Sequence, residues 1–210
     1  MKFSGFNGQQ RRIDVFNAVR TLAQFQAIVE TGSSCGHTAG WLTELTGLHV
    51  ITMEIESVPW QEAMKNTEGY NVRCLLGDSR ELLRVISAHQ RTFFYLDAHW
   101  GEELPLPNEI NVIAERWKDF IILIDDFKVP DDEGYRFDDY GKSKVIALPL
   151  IRDVLAKHNL TPFFPVAPSK TETGALRGSC WIASPSLQHV LSALPGHLRT
   201  IPENAPAHKS

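Results

Sequence analysis

Two periods of apolar and polar positions take turns along this chain. Between residues 11 and 24, Ile13, Phe16, Val19 and Leu22 recur at intervals near three, the signature of one helical face. A short apolar run at 27–29, closing on Glu30, then reads as a buried strand. A second strand at 49–53 is rich in β-branched residues and ends at Glu54; Val72–Leu76 reads as a third. Thr92–Leu96 and Phe120–Ile124 are apolar at nearly every position, as strands are when helices cover both faces of a parallel sheet. Helical patterns fill the gaps: 38–45, 60–65 after Pro59, a stretch N-capped by Ser79 and carrying Leu82, Leu83, Val85 and Ile86, and 107–117 with Ile110, Ile113, Ala114 and Trp117 inward. A helix over 142–157 precedes late strands at 161–166 and 178–183.

Strict alternation of strand and helix predicts an α/β fold, one doubly wound and mostly parallel sheet. A single domain is expected over 1–185, followed by a tail over 186–210 with one short helical patch and Pro-rich, partly disordered residues. The acidic loop 128–140 and the polar loop 167–177, the latter expected to be mobile, carry no recognisable motif. Composition narrows the class. A net charge of −4 and a pI near 6.1 give no basic footprint for nucleic acid. Cys35, Cys74 and Cys180 are widely spaced and form no C-x-x-C pair, so free thiols in a reducing cytoplasm are expected. No signal peptide or membrane-length apolar run is visible, so no membrane partner is expected; homo-oligomerisation is left open.

Candidate chemistry gathers at strand ends. Gly32, Gly36 and Gly40, spaced four apart, follow the first strand and precede a helix. That arrangement aims backbone N–H groups and a helix N-terminus at a nucleotide-like ligand. The spacing is neither the G-x-G-x-x-G of dinucleotide sites nor a P-loop. Five consecutive strands end in carboxylates: Glu30, Glu54, Asp78, Asp97 and Asp125-Asp126. Ligands in such sheets bind beyond the carboxyl ends of the strands. Glu54, some 20 residues past the glycines, can accept both hydroxyls of a ribose, with Glu56 a weaker rival. Asp78-Ser79 is placed to bond an adenine amino group. Asp97, Asp125 and Asp126 would converge at one lip of the sheet, where an oxygen-only set suits Mg²⁺ before Zn²⁺. Glu102, Glu103 and Glu109 lie nearby without an assignable role.

Glu30-Thr-Gly-Ser-Ser-Cys-Gly-His-Thr resembles the glycine motif of class I S-adenosylmethionine-dependent methyltransferases. Glu54 resembles that family's ribose-binding acid, and Gly77-Asp78-Ser79 its adenine-side segment. The resemblance covers roughly residues 12–183 and implies a seven-stranded sheet whose last strand is antiparallel beside the sixth. It implies S-adenosylmethionine as cofactor, contacted by Glu30, Gly32, Ser33, Gly36, Thr38, Glu54, Asp78, Ser79 and Asp97. Leu96-Asp-Ala-His-Trp100 and Leu123-Ile-Asp-Asp-Phe127 further resemble the metal-dependent O-methyltransferases of catechol and sugar type. That likeness implies Mg²⁺ on Asp97, Asp125 and Asp126, and His99 as the base two residues after the first acid. The catechol branch carries a Lys where this chain has Trp100, which counts against a catechol. The expected reaction is Mg²⁺-dependent methyl transfer to a hydroxyl of a small molecule, a sugar or glycosylated natural product. An NAD-dependent oxidoreductase and a non-catalytic module that keeps the fold remain the alternatives.

Overall fold

The computed structural model describes residues 3, 5–89, 91–98, 103–141 and 144–201. His99, Trp100 and Glu102 therefore lie outside the described residues. The chain runs α1 (Gln10–Ala23), β1 (Ala27–Thr31), α2 (His37–Thr46), β2 (Val50–Glu54), α3 (Ser57–Asn66), β3 (Val72–Leu76) and α4 (Ser79–Val85). It continues through β4 (Thr92–Leu96), α5 (Leu106–Arg116), β5 (Phe120–Ile124), α6 (Leu148–His158), β6 (Pro162–Pro165), β7 (Cys180–Ala183), α7 (Gln188–Ser192) and β8 (Leu198–Arg199). These strands form one sheet in the order β3-β2-β1-β4-β5-β7-β6-β8. The first five pair in parallel, and β7 inserts antiparallel between β5 and β6, as expected for the late pair.

Period-two alternation in the central strands sorts their side chains into two cores. Phe93, Tyr95, Ile121 and Leu123 pack with Phe16, Val19, Trp41 and Leu42, beneath α1, α2 and α7. Phe94, Leu96, Ile122 and Ile124 pack with Leu83, Ile110, Ile113 and Ile151, beneath α4, α5 and α6. Each fully buried side chain of this size contributes about 1.5–3 kcal/mol, so the two-sided run is what holds β4 and β5 at the centre. Strand order reverses between β1 and β4, whose outgoing loops part and leave a crevice at the carboxyl ends.

Four sequence expectations change. The sheet has an eighth strand: β8 pairs antiparallel with β6, Phe164 opposite Arg199, in the stretch expected as tail. Its Leu198 is buried, as are Val190 and Leu191 of α7, so these residues dock by ordinary apolar burial. Next, α6 starts at Leu148, not near 142, because Ile146 pairs its backbone with Asp138 and Lys128 and Pro149 suits a first turn. The N-cap of α4 is Asp78 rather than Ser79; its carboxylate accepts from Arg80 N at 2.8 Å. Finally, the inward stripe of α1 is Arg12, Val15, Phe16, Val19 and Ala23, while Leu22 is exposed.

The loop 167–177, expected to be mobile, has fixed partners. Asp132 accepts from Ser169 N and Oγ, and Glu172 accepts from the backbone N–H groups of Arg11 and Arg12 at 2.9 and 3.1 Å. Ala175 N donates to Asn7 O, which ties the loop to the N-terminal segment. No helix among the described residues is long and apolar enough to cross a membrane.

Candidate functional site

A cleft of about 950 Å³ opens at the carboxyl ends of β1 to β5. Of the cofactor residues expected from the sequence, Glu30, Gly32, Ser33, Thr38, Glu54, Asp78, Ser79 and Asp97 all line it. Gly36 does not. It caps α2 at φ 77°, where a Cβ would come within 3.0 Å of Ala63 Cα and 3.1 Å of Thr67 Cγ2. Its lack of a side chain therefore serves the seat of the turn on α3. Gly32, at φ 81°, has a related duty: a Cβ there would overlap the Asp97 carbonyl oxygen and sit 2.9 Å from Ala98 N. Backbone crowding alone demands glycine at 32.

The β2 end presents Glu54. Its Oε2 accepts from Ser34 N at 2.8 Å and its Oε1 from Glu56 N at 3.0 Å. Two backbone donors fix the carboxylate's plane and leave acceptor capacity facing the cleft. Glu56, the rival for the same role, serves here as a donor to Glu54 through its main chain. Behind them Glu30 is 1% exposed, and Thr52 donates its hydroxyl to Glu30 Oε2 at 2.5 Å while contacting Ser33 Oγ at 2.6 Å. Burial, with a smaller push from Glu54, raises the Glu30 carboxyl to about 8. At the β3 end, Asp78 is held by Arg80 through Nε at 3.0 Å to both oxygens and Nη2 at 2.5 Å, besides the capping bond. Arg80 keeps this carboxyl below its usual range, and little acceptor capacity is left for a ligand.

The three acids expected to share a metal are treated differently by their surroundings. Asp97 and Asp126 line the cleft, whereas Asp125 is fully buried beneath it. Asp125 Oδ1 accepts from Arg12 Nη1 at 2.5 Å and from Asp126 N at 2.8 Å. Its Oδ2 accepts from the Tyr95 hydroxyl and from Asn7 Nδ2 at 3.0 Å. Burial alone would raise this carboxyl, but Arg12 and the surrounding donors outweigh it and hold it low. Asp126, at φ 53°, accepts from Arg177 Nε, and Arg177 also donates to Asp138. Burial still lifts Asp126 to about 6, and burial beside Asp125 and Asp126 lifts Asp97 well above the carboxylate range.

This arrangement leaves Asp125 without a free oxygen position for the expected Mg²⁺. All four acceptor positions of that carboxylate are filled by protein donors, and the guanidinium supplies the compensating charge. Among the described residues no group of three His, Cys, Asp or Glu side chains is arranged to hold a metal. The three-acid set does not fit an ion as it stands.

Arg12, Asn7, Tyr95 and Arg177 were missed from the sequence, and Arg12 left a readable signal. It falls in register with Val15, Phe16 and Val19 on the buried face of α1, and a charge in an apolar stripe requires a buried partner. Asn7 carries a weaker one, the turn-forming pair Asn7-Gly8; in the structure Phe6, Asn7 and Gly8 all take positive φ and Asn7 lines the cleft.

Solved structures supply the remaining comparison. A candidate sarcosine dimethylglycine methyltransferase from Galdieria sulphuraria matches with TM-score 0.55 at 15% identity, over 74% of this chain and 62% of its own. A candidate O-methyltransferase from Klebsiella pneumoniae matches with TM-score 0.57 at 16% identity, over 83% and 79%. A variant of MtNAS in complex with S-adenosylmethionine matches with TM-score 0.51 at 15% identity, over 83% and 62%. The chain thus spans about three fifths of the Galdieria and MtNAS proteins. No protein-family model and no curated protein sequence matches the chain. At this level of identity the likeness establishes the fold alone, the Rossmann-like α/β fold that these structures share.

Proposed function

We propose that this chain binds S-adenosylmethionine in the cleft and transfers its methyl group to a hydroxyl oxygen of a small molecule. The observation that carries the reading is Glu54, clamped by two backbone N–H groups on the cleft wall, beside the glycine turn. A carboxylate so oriented is built to accept paired hydroxyls, as a ribose offers. The charge of the cleft points the same way. Glu54, Glu56, Asp78, Glu103 and Asp126 line it against Arg80 and Arg177, an environment that favours a cationic ligand such as a sulfonium with an ammonium group.

In the proposed step the acceptor oxygen attacks the methyl carbon in line, an O–C bond forms, and the C–S bond electrons return to sulfur. S-adenosylhomocysteine departs and the acceptor proton passes to a base. His99 is the base that the sequence resemblance suggests; it lies outside the described residues. Most of the acceleration would come from holding the two reactants aligned. Asp97 and Asp126 are the carboxylates of the expected Mg²⁺ set that face the cleft. A sugar hydroxyl is the acceptor class we favour.

Calorimetric titration with S-adenosylhomocysteine tests the reading. Glu54→Ala should weaken binding by about 1.5–3 kcal/mol, the range for hydrogen bonds to a charged group. Repeating the titration with Mg²⁺ and with EDTA asks whether Asp97 and Asp126 hold an ion near the cofactor. If the parent ignores S-adenosylhomocysteine and binds NADH instead, the methyltransferase reading is wrong.

A further inference from the structure

Glu109 lies on the inward face of α5, fully buried, next in sequence to the core residue Ile110 and one turn on from Leu106. Neither carboxyl oxygen has a hydrogen bond of good geometry among the described residues. The Ser79 and Thr31 hydroxyls lie near enough to favour its charged form, and Ser79 itself lines the cleft. A carboxylic acid buried without a firm partner costs stability, and nothing in the proposed methyl transfer uses it. It stands directly behind the segment expected to read adenine, where Asp78 is already engaged by Arg80.

We infer that Glu109 acts as a positioning residue through Ser79, holding the Ser79 hydroxyl so that its oxygen accepts from a purine 6-amino group and disfavours a 6-oxo group. The inference rests on the reading of the cleft as an S-adenosylmethionine site. A hydroxyl has one hydrogen to give and two lone pairs. If that hydrogen goes to an ionised Glu109, only acceptor capacity faces the ligand. Adenine offers an N–H donor at position 6, whereas hypoxanthine offers an oxygen and would confront a second acceptor. Protonated Glu109 donates to Ser79 instead, which frees the hydroxyl hydrogen for either base and erases the preference.

Burial pushes the Glu109 carboxyl up to about 7, so the device would switch near neutrality. The charges facing it are Asp78, which opposes ionisation, and Arg80, which favours it; β1 contributes only the uncharged Thr31. Preference for the 6-amino base should therefore rise with pH through about 7.

The experiment is titration of the full chain with S-adenosylhomocysteine and with S-inosylhomocysteine at pH 6 and pH 8. The amino-acid part is common to both, so its ionisation cancels in the affinity ratio. For the parent, the ratio should grow roughly three- to tenfold between the two pH values, the span of one net hydrogen bond. Ser79→Ala should remove most of the discrimination at pH 8, and Glu109→Gln should flatten the pH dependence while preserving the fold by near-isosteric replacement. A ratio that does not change with pH in the parent, which needs no variant, overturns the inference alone. So does a Glu109→Gln protein that keeps the parent's slope. Binding of neither ligand by the parent overturns the cofactor reading as well.

Discussion

The two halves of the cleft are built from contacts of opposite reach. On the β1–β3 side each key group is fixed by a near neighbour in sequence. Glu54 is held from 2 and 20 residues away, Glu30 from 22, and Asp78 from 2. On the β4–β5 side the partners are remote: Arg177 reaches Asp126 across 51 residues, Arg12 reaches Asp125 across 113, and Gln9 reaches the Arg177 carbonyl across 168. A motif can encode the first kind of site. The second exists only after the N-terminal segment and the loop near 172 have folded onto the sheet, so its electrostatics belong to the tertiary structure.

The sharpest way to break that contrast is to remove Arg12. Both members of the Arg12–Asp125 pair are essentially inaccessible, at 2% and 0% side-chain exposure. Taking one away leaves an uncompensated buried charge, which typically costs 3–5 kcal/mol. Arg12→Met should therefore lower unfolding stability by about 4 kcal/mol at pH 7 in urea titrations. Adding Asp125→Leu should recover much of the loss. The pH sign follows from Asp125, which is held below the ordinary carboxylate range. Its contribution is present above the unfolded value of about 3.9 and fades as pH falls through the lower folded value, so the cost of Arg12→Met should shrink below about pH 4. A loss under about 1 kcal/mol at pH 7 would mean that the pair is not holding the β4–β5 side together.

The same contrast explains how far the sequence could be read. Strands β1 to β5 were legible because each is a largely apolar run bounded by a turn, and the β1–β3 wall of the cleft because the glycine turn, Glu54 and Asp78-Ser79 stand at successive strand ends. The strand β8 was not, since two residues among prolines and glycine carry no period and gain meaning only by pairing with Phe164 and Pro165. Asp97, Asp125 and Asp126 were correctly placed together at one lip. The cations that meet two of these charges, Arg12 on Asp125 and Arg177 on Asp126, lie far from them in the sequence and were not legible there. The register of Arg12 within the buried stripe of α1 is the one feature of the sequence that points to this pairing.

A smaller effect is expected on the local side, and its dependence on pH should distinguish it. Glu30 is buried and its carboxyl is raised to about 8, against an ordinary unfolded value near 4.3. The folded state thus binds this proton more tightly than the unfolded one. That contribution is complete below the unfolded value and is lost as pH rises through about 8. Glu30→Gln removes the titration but keeps the shape and an acceptor for Thr52. Its stability relative to the parent should improve by on the order of 3 kcal/mol between pH 4.5 and pH 8.5. A parent and variant whose stabilities run parallel across that range would show that Glu30 is charged in the fold.

The smallest expected effect tests whether remote contacts matter even where they are weak. The N-cap of α1 is Gln9, which makes no side-chain capping bond of its own. The cap comes instead from Glu172: Oε1 accepts from Arg11 N at 2.9 Å and Oε2 from Arg12 N at 3.1 Å, some 160 residues away. Oε1 also accepts from Thr173 N at 2.8 Å, which keeps the carboxylate turned toward the helix. An acid in this place satisfies two orphan amides and meets the positive end of the helix dipole. Losing an N-cap side chain costs about 1 kcal/mol, so Glu172→Ala should lower stability by that amount. Glu172→Gln, which keeps one acceptor oxygen and loses the charge, should fall between the two. Because Glu172 and Asp125 grip the same residue from its backbone and its side chain, the penalty should be smaller in an Arg12→Met background, a coupling that a double-mutant cycle reads directly. S-adenosylhomocysteine affinity should not follow, since Glu172 does not line the cleft. A loss below about 0.3 kcal/mol would mean that water serves the α1 amides as well as Glu172 does.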